Sequence, residues 1–267
     1  MRKLYGDHIA DVNCHASNSG DPFYLYDARH RMMDYYGVTG YPTAIFNGKS
    51  WVVGGGGSTF NTYKTRYTQQ MAINTPGRLS LDVQYDPSSR EGAITTKLYS
   101  VDPIKIGNLR FRYVVTESHY NCHWGGLDSL QCIMRDMLPD STGVPFSINQ
   151  GDVFSDSQSF YIDPGWADHN CELVVFVQSD EDTSLVISNS VPLYQAHVSG
   201  DANQDRRVTI SDVVFLSNYV FFSGPEPDPS ASGDPNEDGI IDIQNIAYLV
   251  SYLLHGGPAP LRGWEID

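Results

Sequence analysis

The sequence predicts a multidomain α+β protein: a partial α/β segment over residues 1–75, an antiparallel β-sandwich over 76–197 and a small all-α module over 198–267. Three observations predict it. A helix-forming run that stops at Gly37 is followed by an apolar stretch opened by Pro42 and closed by an Asn-Gly turn. The middle of the chain alternates apolar and polar residues between turn signals. Near the C-terminus, Gly200-Asp201-Ala202-Asn203-Gln204-Asp205 returns 33 residues later as Gly233-Asp234-Pro235-Asn236-Glu237-Asp238.

In the first segment, residues 8–14 alternate weakly and read as a short strand. Residues 27–36 read as a helix closed by Gly37. Thr43-Ala44-Ile45-Phe46 reads as a strand, and Trp51-Val52-Val53 pairs back across Asn47-Gly48 as a hairpin. Residues 62–72 read as a closing helix. Cys14 and His15 are adjacent, so on a strand they face opposite ways and make no nucleophilic pair.

The middle reads as about seven strands, at residues 78–86, 93–101, 109–118, 159–163, 172–179 and 185–194, with a further strand left unplaced. Leu79, Leu81 and Val83 alternate with polar neighbours, as do Phe111, Tyr113 and Val115, so each of these strands buries one face. Residues 120–148 read as a long excursion from the sandwich. Cys122 and Cys132 are close enough in sequence to staple it by a disulfide, with Cys171 as a rival partner. The nearby His119, His123 and His169 invite a zinc reading, but their spacing matches no familiar zinc pattern.

Each C-terminal repeat sets oxygen side chains at loop positions 1, 3 and 5, the spacing of a calcium loop. The first loop offers Asp201, Asn203, Asp205, the Arg207 carbonyl, Thr209 and Asp212. The second offers Asp234, Asn236, Asp238, the Ile240 carbonyl, Asp242 and Asn245. The set implies two Ca2+ ions, and the mutual repulsion of the empty carboxylates makes folding here depend on them. Position 6 is Arg206 in the first loop and Gly239 in the second. Position 12 is Asp212 in the first and Asn245 in the second, without the long bidentate Glu of an EF-hand. A helical apolar stripe follows each loop: Val213, Leu216 and Val220, then Ile246, Leu249, Val250 and Leu253. Neither unit buries its stripe alone, so the two pack together.

Composition sets outer bounds. The chain has 267 residues, 40% hydrophobic, with a formal charge of −15. Residues 200–267 hold 11 acids and 3 bases, so about half the negative charge lies in the calcium module. No basic stripe exists to hold nucleic acid, and no apolar run has the length of a membrane helix. Calcium loops, few lysines and many Tyr, Asn, Ser and Thr suit an extracellular or cell-surface protein, with any export signal expected upstream of Met1.

The two Asp-x-Asn-x-Asp loops, with an acidic or amide residue at position 12 and a Leu-containing helix after each, resemble a type I dockerin over about residues 199–256. The resemblance implies a module that docks on a cohesin-type protein domain. Ser211 and Gln244, just before position 12, would be its partner-binding residues, and their difference argues against two equivalent docking modes. Within residues 1–75, the helix, the run Tyr36-Gly37-Val38-Thr39-Gly40-Tyr41-Pro42-Thr43-Ala44-Ile45-Phe46 and the hairpin resemble the C-terminal half of a thioredoxin fold, which implies a cis peptide bond at Pro42. The family's Cys-x-x-Cys pair is absent from the chain. The whole body, about residues 5–195, resembles Omp28-related bacterial surface proteins through Tyr35-Tyr36-Gly37-Val38, Gly40-Tyr41-Pro42-Thr43, Pro139-x-x-x-Gly143, Gly151-Asp152 and Phe176-Val177-Gln178.

Three functions are compatible with these features. The first is a non-catalytic, calcium-binding surface protein that assembles through its dockerin-like module. The second is a thiol-disulfide oxidoreductase whose Cys-x-x-Cys lies upstream of this chain. The third is a self-assembling filament subunit, in which the partner is another copy of the chain. No recognisable catalytic set marks the sequence as an enzyme.

Overall fold

The computed structural model describes residues 9–16, 20–56, 59–124, 126–193, 199–203, 207–227, 230–236 and 238–260. The chain divides into two compact units, Met1–Tyr194 and Gln195–Asp267. It is mixed α+β, with several antiparallel sheets in the first unit and helices in the second.

The first unit is built on two sheets. Strands β3 (Gly77–Asp86), β4 (Glu91–Ser100) and β10 (Val153–Tyr161) form a three-stranded sheet in the order β10-β4-β3. Strands β5 (Leu109–Glu117), β8 (Ile133–Leu138), β11 (Cys171–Ser179) and β12 (Leu185–Pro192) form the other in the order β12-β11-β5-β8, and β9 (Val144–Phe146) also pairs with β5. The alternating residues do what period-2 patterning requires. Leu79, Leu81, Ile94 and Leu98 from one sheet share a core with Phe111, Tyr113, Val115, Leu173, Val175 and Val177 from the other. Phe146 and Phe154, partly buried, pack ring to ring with the fully buried Phe111, with centroids 4.6 to 5.6 Å apart.

The run Leu173-Val174-Val175-Phe176-Val177 is apolar at every position, the mark of a strand covered on both faces. Its second face supplies Val174 and Phe176 to another cluster, with Val114, Met134 and Met137. The N-terminal segment covers that face through Ala10, Val12, Cys14, Leu25 and Ala28. The first 75 residues therefore belong to the same compact unit as the sandwich, and no boundary between compact units falls at 75/76.

The N-terminal elements come in the expected order. Helix α1 starts as an α-helix at Tyr26–Arg29 and widens to a π-helix at His30–Tyr35; Gly37 follows with φ of 71°. The Tyr41–Pro42 bond is cis, as is Leu138–Pro139. Strands β1 (Thr43–Phe46) and β2 (Ser50–Val53) form the hairpin, with Asn47 and Gly48 both left-handed at φ 46° and 73°. Helix α2 (Thr59–Met71) buries none of its residues and meets the hairpin through Tyr63 and Phe46, whose rings lie 5.6 Å apart.

The structure changes three expectations. Of the strand expected at 8–14, residue 8 lies outside the described residues. The rest makes one isolated parallel bridge, Asn13 to Ile133, held by Asn13 N donating to Cys132 O at 2.7 Å and Met134 N donating to Asn13 O at 2.9 Å. The segment is anchored by its apolar side chains, and its weak alternation does not extend the pairing. Residues 120–148 are only partly an excursion. Strands β6 (Tyr120–Trp124) and β7 (Leu127–Leu130) make a separate hairpin, after which β8 and β9 rejoin the main sheet. Strand β8 is buried on both faces at its ends and so lacks alternation, and Pro145 in β9 sits on a sheet edge, where its missing N–H is tolerated.

The third change concerns Cys122 and Cys132, which are free thiols, as are Cys14 and Cys171. The β6–β7 register places Tyr120 opposite Leu130, so Cys132 falls opposite Ser118, whose Oγ accepts from Cys132 N at 3.0 Å. Ser118 Oγ also donates to Cys132 Sγ at 3.6 Å, so the Cys132 thiol is engaged there and not in a bridge.

The second unit is two loop–helix repeats. Helices α3 (Ile210–Phe222) and α4 (Ile243–His255) start and stop at equivalent places 33 residues apart. Each ends in a left-handed residue, Ser223 at φ 55° and Gly256 at φ 67°. Leu216 and Leu249, the same position in the two repeats, are both fully buried at the centre of a shared core with Ala202 and Val213.

Candidate metal centre

Each loop of the second unit ends by starting a helix, and the same side chains serve both tasks. Thr209 is the N-cap of α3: its Oγ1 accepts from Ser211 N at 3.2 Å, while Asp212 Oδ2 accepts from Thr209 N at 2.8 Å. Asp242 is the N-cap of α4: its Oδ1 accepts from Gln244 N at 2.7 Å, and Asn245 Oδ1 accepts from Asp242 N at 2.7 Å. These are reciprocal capping boxes. Loop positions 9 and 12 are thus also helix positions N-cap and N3. The cap signature, an oxygen side chain followed three residues later by another, was present in the sequence beside the calcium spacing.

Asp201, Asp212, Asp234 and Asn245 are buried, although three of them are acids in a module rich in negative charge. Asp212 Oδ1 accepts from Asn203 N at 3.1 Å, which ties loop position 3 to position 12 in the first loop. In the second loop, Asp234 Oδ2 accepts from Gly239 N at 2.8 Å, and Asn236 Nδ2 donates to Asp238 Oδ2 at 2.8 Å. Asp238 Oδ1 accepts from Ile240 N at 3.0 Å. Asn245 Nδ2 donates to Asp234 Oδ1 at 3.1 Å and to Asn236 Oδ1 at 2.7 Å. The two loops are joined where Ser199 Oγ donates to Asp234 O at 3.0 Å and Gly200 N donates to Ser232 O at 2.8 Å. Asp205 and Arg206 lie outside the described residues, and among the described residues no three His, Cys, Asp or Glu side chains form a ready cage. The first loop's donors are oxygens and its position 12 is a carboxylate, a set that fits a hard divalent cation.

Ser211 and Gln244 are exposed at the first turns of α3 and α4. Ile210 and Val214 on α3 and Ile243 on α4 are exposed apolar residues near them in sequence, and Phe221, Phe222 and Leu254 are exposed at the far ends of the two helices.

The cysteines and histidines of the first unit form no comparable site. Burial pushes the Cys14 and Cys171 thiols up to about 12; Arg31 opposes the shift at Cys14, while Glu117 adds to it at Cys171. His15 is engaged by Asp21, Nδ1 to Oδ2 at 2.9 Å. His123 faces Asp128 on the surface, and among the described residues no zinc cluster forms.

One polar cluster was not anticipated. Arg31 from α1 and Arg112 from β5 are both buried and both donate to Gln178 Oε1 of β11, at 2.5 and 3.1 Å. Arg112 also meets Asp180, Nη2 to Oδ1 at 2.5 Å. The signal lay in two polar residues, Arg112 and Gln178, inside otherwise apolar strands.

The second unit is therefore a module made of two repeated loop–helix units that share one core. Residues 199–255 match the family model of the dockerin type I domain. No curated protein matches the chain. Among solved structures, the chain is similar to HBP35 of Porphyromonas gingivalis at 16% identity and a TM-score of 0.48, over 61% of this chain and 55% of that one. It thus spans about half the length of that protein. It is also similar to a domain of the outer membrane lipoprotein Omp28 from Porphyromonas gingivalis, at 11% identity and a TM-score of 0.35, over 45% of this chain and 90% of that one. No helix among the described residues is long and apolar enough to cross a membrane.

Proposed function

We propose that this chain is a calcium-binding protein of the cell surface or extracellular space. Its dockerin domain attaches a non-catalytic β-sandwich body to a cohesin-like partner. The observation that carries the reading is the matched pair of loop–helix repeats, whose equivalent leucines Leu216 and Leu249 close one core. Calcium drawn to Asp201, Asn203, Asp205, the Arg207 carbonyl, Thr209 and Asp212 would complete the first loop, with Asp234, Asn236, Asp238, the Ile240 carbonyl, Asp242 and Asn245 as the counterpart set. Ser211, Gln244 and the exposed Ile210, Val214 and Ile243 near them supply the docking face. The order of α1, a cis Tyr41–Pro42 bond, the β1–β2 hairpin and α2 supports reading residues 1–75 as a thioredoxin-like half within the body. Thiol exchange gains no support from Cys14 or Cys171, whose burial keeps them protonated at neutral pH.

The test is binding of the full chain to immobilised cohesin domains in calcium and in EDTA, with thermal melting in both. Docking that is lost in EDTA, and a second-unit melting transition raised by calcium, are the expected results. Asp201→Ala should abolish the calcium-dependent rise. Calcium-dependent self-association without cohesin binding would move the reading to a self-assembling subunit, and melting indifferent to calcium would remove the metal from it.

A further inference from the structure

Asp212 and Asn245 occupy the same place in the two repeats, and each must do two things at once. As residue N3 of its helix, each gives one atom to the N-cap backbone: Asp212 Oδ2 to Thr209 N, and Asn245 Oδ1 to Asp242 N. What remains differs chemically. Asp212 keeps a second carboxylate oxygen, Oδ1. Asn245 keeps an amide nitrogen, which only donates.

That nitrogen lies 3.1 Å from Asp234 Oδ1 and 2.7 Å from Asn236 Oδ1, the oxygens of loop positions 1 and 3. It holds together the groups that an ion would gather. Gly239 N, Ile240 N and Asn236 Nδ2 donate to the remaining carboxylate oxygens of Asp234 and Asp238, which fixes the loop further. Turning the Asn245 amide over would aim its oxygen at the loop, but would set its NH2 against the Asp242 N–H, two donors face to face. The buried helix start would then lose its partner, at the cost of an unsatisfied group.

We propose that the second loop is latched by the Asn245 amide and holds its shape without metal, so that the chain takes one calcium ion tightly, in the first loop. The proposal rests on the calcium reading of this module and narrows it.

Calorimetric titration of calcium chloride into the full chain, stripped with EDTA and dialysed, tests it. The expected result is one tight ion, with any second ion weaker by about tenfold or more. Asn245→Asp should add a second tight ion, and Asp212→Asn should remove the first, each variant checked for unchanged helix content by circular dichroism. Two ions of similar affinity in the unsubstituted chain would overturn the latch while leaving the calcium reading intact. A folded Asn245→Asp chain that still takes one ion would also overturn it. Failure to bind any calcium would overturn the calcium reading, and the latch with it. The count on the unsubstituted chain decides the matter even where a variant does not fold.

Discussion

Replacing Gln178 with leucine should cost the first unit about 3–5 kcal/mol, the range for removing one partner from a buried charged network. The side chain is fully buried, and all of its hydrogen-bonding capacity toward the cluster is in use. Its Oε1 accepts from Arg31 Nη2 and Arg112 Nη1. Its Nε2 donates to Tyr36 Oη at 2.7 Å and to Thr183 O at 2.6 Å. Arg112 would keep the Asp180 carboxylate, whereas Arg31 would keep the neutral Tyr36 hydroxyl, to which its Nη2 donates at 3.3 Å. The Arg31 side chain is 2% exposed, and among the described residues its Nη1 has no hydrogen-bond partner. Burial already lowers its pKa, against the stabilising neighbourhood of Tyr36 and Tyr35, whose rings lie 5.0 and 4.0 Å from its guanidinium carbon.

Two hydrogen bonds to charged donors, at about 1.5–3 kcal/mol each, account for the loss. Leucine has nearly the volume of glutamine, so no large cavity adds to it. Urea unfolding followed by tryptophan fluorescence reads the effect, since three of the four tryptophans, Trp51, Trp124 and Trp166, belong to the first unit. The double variant Arg31→Met, Gln178→Leu should lose less than the two single losses added together, because the charge is removed along with its acceptor. A loss below about 1 kcal/mol for Gln178→Leu, or strict additivity, would refute the reasoning.

Gly48→Ala should destabilise the first unit by more than the usual ~1 kcal/mol of a left-handed glycine, because a Cβ there would lie 1.9 Å from Thr183 O; an urea midpoint equal to that of the unsubstituted chain would contradict the placement of the hairpin turn. Asp180 is held below the ordinary carboxylate range: burial pushes it up, but hydrogen bonds from Arg112, Tyr35 and Arg110 outweigh that. A depressed folded pKa gives stability that is complete above the unfolded value near 4 and is lost as pH falls through the folded one. Asp180→Asn should therefore lower stability at pH 7 and shrink the loss on acidification below about pH 4, as measured by melting across pH. In the native chain, Cys14 and Cys171 should stay unlabelled by iodoacetamide at pH 8, while denaturation should expose four alkylatable thiols by mass spectrometry; fewer than four would restore a disulfide.

Much of this was legible because the relevant physics is local. A 33-residue repeat, a helical stripe and an Asn-Gly turn each report on neighbours in sequence, and α3, α4 and the β1–β2 hairpin lie where they pointed. Strand β8 was hidden because both of its faces are covered, which erases the alternation by which a strand is recognised. The placing of Cys132 against Ser118 depends on the chain pairing around β6 and β7, which sequence distance does not encode. Gln178 was visible as part of a family-like motif, but its task becomes evident only once β11 brings it beneath α1. In the candidate site, the ligand spacing is readable in sequence, while the capping boxes at Thr209 and Asp242 become plain only in the structure. The two patterns share the same residues, so the cap signature is hidden within the metal spacing.

That sharing has an experimental cost for anyone who dissects the module one side chain at a time. The residue that shuts each loop also begins the winding of the rod behind it, so a change at 212 or 245 disturbs coil and clasp together. Loss of ellipticity in such a variant reports a failed nucleus as readily as a lost ion. Substitutions at positions 1 and 3, outside the helix, are the ones that separate the two.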